Sequence, residues 1–108
     1  MPNDSALSSD IRVGRISEAE EFEKCEKPKM AKLWIQVDNM EYQSAAQLLY
    51  NHDVDNLEGK KVLCAMGTSD LRIAGFKSEV LTLGVPDEKG NPVLVSPDDE
   101  VPLGGRLY

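Results

Sequence analysis

Ile73-Ala-Gly-Phe-Lys-Ser-Glu-Val-Leu-Thr-Leu-Gly84 carries the strongest fold signal in this chain. From Phe76 to Leu83 it is rich in aromatic, β-branched and aliphatic residues, holds no proline and stops at a glycine, which predicts a strand. Phe76, Val80 and Leu81 put apolar side chains on both of its faces. A small barrel buries only one face of each strand by itself. The surplus must cover a partner, a ligand, a second copy, or the chain's own tail folded back.

Upstream, Asp10-Ile-Arg-Val-Gly-Arg-Ile16 alternates, with Ile11 and Val13 predicted to share one strand face. Ile16 has the opposite parity, so a one-residue slip is expected, and Gly14 is where a bulge would supply it. Residues 18–29 are densely charged and read as a loop or short helical turn. Leu33, Ile35 and Val37 alternate again, leaving Lys32, Trp34 and Gln36 on the other face. After a turn at Asp38-Asn39, residues 42–46 predict a third strand. Residues 48–57 have helix-like spacing, with Asp53 and Asn56 as terminators, and residues 62–66 are apolar on both faces, a buried strand. Residues 68–75 read as a connecting loop, and residues 86–91 as a turn into a last strand over 92–96. Short strands, frequent turns and one short helix predict an all-β small barrel over residues 10–108, preceded by a flexible arm over residues 1–9.

Chemistry that the sequence lacks is also informative. There is no nucleophile elbow and no glycine-rich phosphate loop, and His52 has no sequence cue tying it to a nucleophile. Cys25 and Cys64 form no Cys-x-x-Cys pair, so no zinc set is expected; Cys64 reads as core and Cys25 as exposed. Asp98, Asp99 and Glu100 read as a solvated acidic turn rather than a cation site. The expectation is a chain without catalysis, cofactor or metal. No apolar run has the roughly 18–20 residues of a membrane span. The first residues lack a basic segment followed by an apolar one, which predicts a cytoplasmic location and no membrane insertion.

The net charge of −7 weighs against strong unaided nucleic-acid binding, which draws on neutralised phosphates. The dense basic island Lys24, Lys27, Lys29 and Lys32 is offset by Glu20, Glu21, Glu23 and Glu26. Trp34 stands among polar neighbours, so it either stacks a base or apolar peptide side chain, or packs under another element or a second subunit.

Taken in order, Asp10–Ile16, Lys32-Leu-Trp34 and Phe76-Lys-Ser-Glu-Val-Leu81 resemble the tRNA-binding-domain family, and within it the CsaA-type secretion-chaperone branch. The resemblance implies an OB-fold, a five-stranded Greek-key barrel with one short helix at its end, plus N- and C-terminal extensions. It also implies macromolecule binding without chemistry. On that reading Lys32, Trp34, Arg72, Phe76, Lys77 and Ser78 form a peptide- or RNA-binding surface. Lys77 would meet a phosphate and Ser78 would offer its hydroxyl. Homodimers are implied as well, with Val80, Leu81, Leu103, Leu107 and Tyr108 at the interface. The leading expectation is a chaperone for unfolded or preprotein segments, and the alternative is a structure-specific tRNA-binding protein. The loop Met66-Gly-Thr-Ser-Asp-Leu71 departs from the Asn-Phe-Pro-Pro-Arg-like run common in the chaperone branch, and it brings Asp70 beside Arg72.

Overall fold

The computed structural model describes residues 7–68 and 70–108; most of the predicted N-terminal arm, residues 1–6, lies outside them. The chain order is β1 (Ile11–Glu21), β2 (Ala31–Val37), β3 (Met40–Ala46), α1 (Val54–Leu57), β4 (Lys61–Ala65), β5 (Leu71–Ile73), β6 (Phe76–Ser78), β7 (Leu81–Thr82), β8 (Gly84–Pro86) and β9 (Pro92–Leu94). Five antiparallel strands form one sheet in the order β3-β2-β1-β4-β7, while β5–β6 and β8–β9 are separate hairpins. The sheet curls until β7 approaches β3, giving an OB-fold-like half-barrel with a short helix; the pattern predicts the small barrel, and the resemblance implies its OB form.

Strand β1 makes the curl possible. Its first part, Ile11 to Arg15, pairs with β4, and from Arg15 to Glu21 it pairs with β2. The register slips between Ile16 and Glu18, not at Gly14. The bulge therefore falls where β1 passes from one neighbour to the other, and it returns Ala19 to the interior beside Ile16. Gly14 serves another purpose. A methyl there would lie 2.5 Å from Ile35 Cγ2, so only glycine lets β2 pack so close. Strand β1 also continues through Glu21, inside the stretch expected to be loop.

The core is built from Ile16, Leu33, Ile35, Val37, Leu48, Leu57, Val62, Cys64 and Val80. Leu33, Ile35 and Val37 point inward, as their alternation predicts. Burial pushes the Cys64 thiol up to about 12, consistent with an inert core residue. The helix is shorter than its spacing suggests. Residues 48–52 form a turn closed by His52 N–H on the Leu48 carbonyl, and Asp53 starts α1 rather than ending it. Among the described residues no helix is long and apolar enough to cross a membrane.

The predicted strand over residues 76–83 is broken. Between β6 and β7, the Glu79 and Val80 N–H groups both turn to the Gln43 carbonyl, at 2.8 and 3.4 Å. Beyond β9 the tail returns along β1: Gly104 N–H donates to Val13 O, Val13 N–H to Gly105 O, and Leu107 N–H to Ile11 O. Ile11 and Val13 thus belong to an outer face under the tail, not to the barrel interior, and part of the apolar surplus is covered by the chain itself.

Candidate binding face

Strands β2 and β3 bury one face in the barrel and turn the other, with Lys32, Trp34, Gln43 and Ala45, outward. This outer face carries a second small core. Phe22, Met30 and Phe76 are buried there, with Trp34, Ala45, Ile73 and Cys25 packed against them. The Trp34 and Phe22 rings each meet Phe76 edge-on at 5.6 Å between centroids. Lys32 Nζ lies over both phenylalanines, 5.1 Å from the Phe22 ring and 5.5 Å from Phe76.

Two connections converge on this cluster. The β1–β2 loop is pinned by Phe22 N–H on the Met30 carbonyl at 2.9 Å and by Gln47 Nε2 on Pro28 O at 2.9 Å. The β5–β6 hairpin pairs Leu71 with Ser78, Arg72 with Lys77 and Ile73 with Phe76. It is fastened to β3 by side chains rather than by a continuous ladder. Ser78 Oγ accepts the Ala45 N–H at 3.0 Å, and Glu79 Oε1 accepts the Gln43 N–H at 2.9 Å. Ser44 Oγ donates to Val80 O at 2.9 Å and accepts from Thr82 Oγ1 at 2.8 Å. With the Gln43 amide oxygen turned to the indole, Trp34 Nε1 donates to it at 3.3 Å, and the amide nitrogen donates to Lys77 O at 3.2 Å.

Between loop and hairpin opens a cavity of about 490 Å³. Met30, Leu71, Ile73, Ala74 and Cys25 give it apolar walls, and Lys24, Lys27 and Glu26 stand at its rim. Its position, between the loop after the first strand and the hairpin before the last, is where OB-folds hold extended ligands.

The predicted site residues divide. Lys32, Trp34 and Phe76 come together, but Phe76 is buried and Trp34 half-buried, so their rings pack on one another. Ser78 is buried and commits its hydroxyl to β3, so it is not free for a ligand; its role is to close the barrel. Lys77 pairs with Asp70 at 3.2 Å, and Arg72 stands exposed opposite it. Val80 is sealed in the barrel core and is withdrawn from any interface, because the break after β6 turns it inward. Leu81, Leu107 and Tyr108 are exposed, and Leu103 is half-buried in the tail. Cys25, expected at the surface, is half-buried at the cavity. His52 packs: its Nε2 accepts the Leu94 N–H at 3.2 Å, and burial, with Lys60 nearby, lowers its pKa. Phe22, Met30 and Ile73 join this face without being expected from the sequence. The one signal for Phe22 is a single aromatic in a run of glutamates and lysines.

A curled antiparallel sheet with an end helix, and a cavity framed by its first and last connections, defines an OB-fold-like binding module. The chain belongs to the putative tRNA binding domain family, whose profile matches residues 11–106. Among solved structures it is similar to the chaperone CsaA of Bacillus anthracis, at 34% identity and a TM-score of 0.84, covering 94% of this chain and 92% of that one. The CsaA chaperone protein of Picrophilus torridus is similar at 35% identity and a TM-score of 0.83, with the same coverage. Among curated proteins, the methionine–tRNA ligase of Methanopyrus kandleri is 32% identical over 101 residues, and that of Methanocaldococcus jannaschii is 28% identical over 98. The chain covers only 14% and 15% of those two ligases.

Proposed function

We propose that this protein is a non-catalytic, CsaA-like chaperone that binds unfolded or preprotein segments in the cavity between the β1–β2 loop and the β5–β6 hairpin. One observation carries the reading: the aromatics of the OB face are consumed by their own packing, while the open space beside them is apolar. Sequence-tolerant single-strand binding needs ring faces free to stack. Phe22 and Phe76 are 3% and 8% exposed, so a ligand meets Leu71, Ile73 and Ala74 instead. Such walls suit an aliphatic or aromatic peptide side chain, and the lysines at the rim suit backbone carbonyls or acidic flanks. We further propose a homodimer acting in the cytoplasm. Leu81, Tyr108 and the cross-strand pair Val85–Val93 are among the exposed apolar residues that a second copy could cover.

The second reading, tRNA binding, draws on the family match and on Lys24, Lys27, Lys32 and Arg72 around the same face. Salt separates the two. Polypeptide affinity resting on apolar contact changes little between about 50 and 200 mM salt, whereas several phosphate contacts lose tenfold or more over that range. Titration of a permanently unfolded polypeptide and of tRNA across this range is the test. Tight, salt-sensitive tRNA binding with no affinity for the polypeptide overturns the chaperone reading. Sedimentation at twice the chain mass is expected at micromolar concentration, and a clean monomer removes the dimer.

A further inference from the structure

A second charged site lies on the β1–β4 side of the barrel and shares no residue with the cavity above. Arg15 and Lys61 are cross-strand partners on β1 and β4, and Lys60 immediately precedes Lys61. They line a groove of about 420 Å³ whose opposite wall is the acidic run Asp98-Asp99-Glu100. The Lys61 side chain is only 11% exposed; its Nζ donates to Glu100 Oε1 and to the Val101 carbonyl, both at 2.7 Å. Arg15 Nη2 lies 3.9 Å from the same carboxylate oxygen. The partners differ in how firmly they are held. Lys61 is fixed by its strand, and the Ser96 hydroxyl donates to its carbonyl at 2.7 Å. Glu100 is 90% exposed on an irregular segment between two prolines, so its carboxylate returns to water at little cost once another anion takes its place. A nearly buried ammonium left without an anion is costly, which makes the site selective for whatever anion replaces Glu100.

We infer that Arg15, Lys60 and Lys61 form a phosphate-binding strip for an RNA strand, and that Glu100 occupies it as an internal competitor. A phosphodiester oxygen meets the same needs as the carboxylate: one charge, and acceptors for Lys61 and Arg15 together. The adjoining Asp98 and Asp99 add repulsion that weakens RNA entry while the tail stays in place. The inference rests on the nucleic-acid reading of the family rather than on the polypeptide cavity.

The test is binding of a labelled oligouridine by the full chain, comparing wild type with Glu100→Gln. As control, Glu88→Gln makes the same charge change in the β8–β9 turn. Glu100→Gln is expected to raise affinity about three- to tenfold at low salt. It should also steepen the log–log salt dependence by about 0.7 for each additional phosphate neutralised. Glu88→Gln should do neither, and adding Arg15→Gln or Lys61→Gln to Glu100→Gln should cancel the gain. An equal gain in Glu88→Gln, or a gain that survives both basic substitutions, overturns the strip. If wild type binds and Glu100→Gln binds no better, the inference falls and the nucleic-acid reading stands. If neither binds, both fall.

Discussion

Glu79 and Gln43 bond to each other twice: the Glu79 N–H donates to the Gln43 carbonyl at 2.8 Å, and the Glu79 carboxylate accepts the Gln43 N–H at 2.9 Å. One residue of the broken last strand thus supplies both a donor and an acceptor to β3, as a residue of a hydrogen-bonded ladder pair does, but with its side-chain carboxylate in place of its backbone carbonyl. Ser78 repeats the device one residue earlier, with its hydroxyl standing in for a carbonyl. Barrel closure in this chain rests on side chains as well as on backbone bonds.

Glu79→Ala leaves the Gln43 N–H without its acceptor. A lost charge-assisted bond and an unsatisfied backbone donor together cost about 1–3 kcal/mol. Urea denaturation should show a lower midpoint with the slope retained. Ser78→Ala should fall in the same range, since it strands the Ala45 N–H. Wild-type stability in both variants would mean that the ladder, and not these side chains, closes the barrel.

Sequence alone leaves Trp34 open between ligand wall and packing. Its edge contact with Phe76 and its indole bond to Gln43 put it in the packing that holds the β5–β6 hairpin. Trp34→Ala should therefore destabilise by about 2–4 kcal/mol, somewhat less than a fully buried tryptophan. It should also speed tryptic cleavage at Arg72 or Lys77, because local opening of the hairpin becomes easier. An unchanged melting midpoint together with lost ligand affinity would return Trp34 to the ligand wall.

The barrel is legible in the sequence because its signals are local. The parity of Leu33, Ile35 and Val37 and the Asp38-Asn39 turn are each written within a few neighbouring residues. The bulge is misplaced to Gly14 on sequence grounds because glycine serves two purposes, and here it relieves contact with Ile35 rather than adding a residue. The binding face is less legible because it depends on contacts between segments far apart in sequence. Nothing near Phe22 announces that Phe76 will meet it, and nothing near Ser78 announces Ala45. The motif of residues 76–81 identifies the family, yet its Ser78, expected to meet a ligand, is a fastener instead.

His52 gives the fold a pH dependence. Its pKa is lowered, chiefly by burial and then by Lys60, and its neutral Nε2 accepts the Leu94 N–H. Below the ordinary histidine pKa of about 6.5 the unfolded chain takes up a proton that the folded chain resists. The unfolded state then binds more protons, so stability falls as pH drops from about 6.5 toward the depressed folded value. The melting midpoint should decline over that window in wild type, and by less in His52→Gln. Parallel curves for the two proteins would show that the histidine does not titrate with unfolding.

Leu71 offers the sharpest test of the cavity. It is 59% exposed on β5 and forms part of the apolar wall, so replacing it should change stability by no more than about 0.5 kcal/mol. Leu71→Asp and Leu71→Lys both remove the apolar surface while adding opposite charges. If unfolded polypeptide docks here, both should weaken it by about tenfold, equivalent to about 1.4 kcal/mol at a central apolar contact. RNA at the same face would respond with opposite signs, weakened by the aspartate and strengthened by the lysine. Fluorescence anisotropy with each ligand distinguishes these patterns in one experiment. Polypeptide affinity unchanged in both variants would exclude the cavity as the chaperone site and shift the search to the exposed residues Leu81, Val85 and Val93.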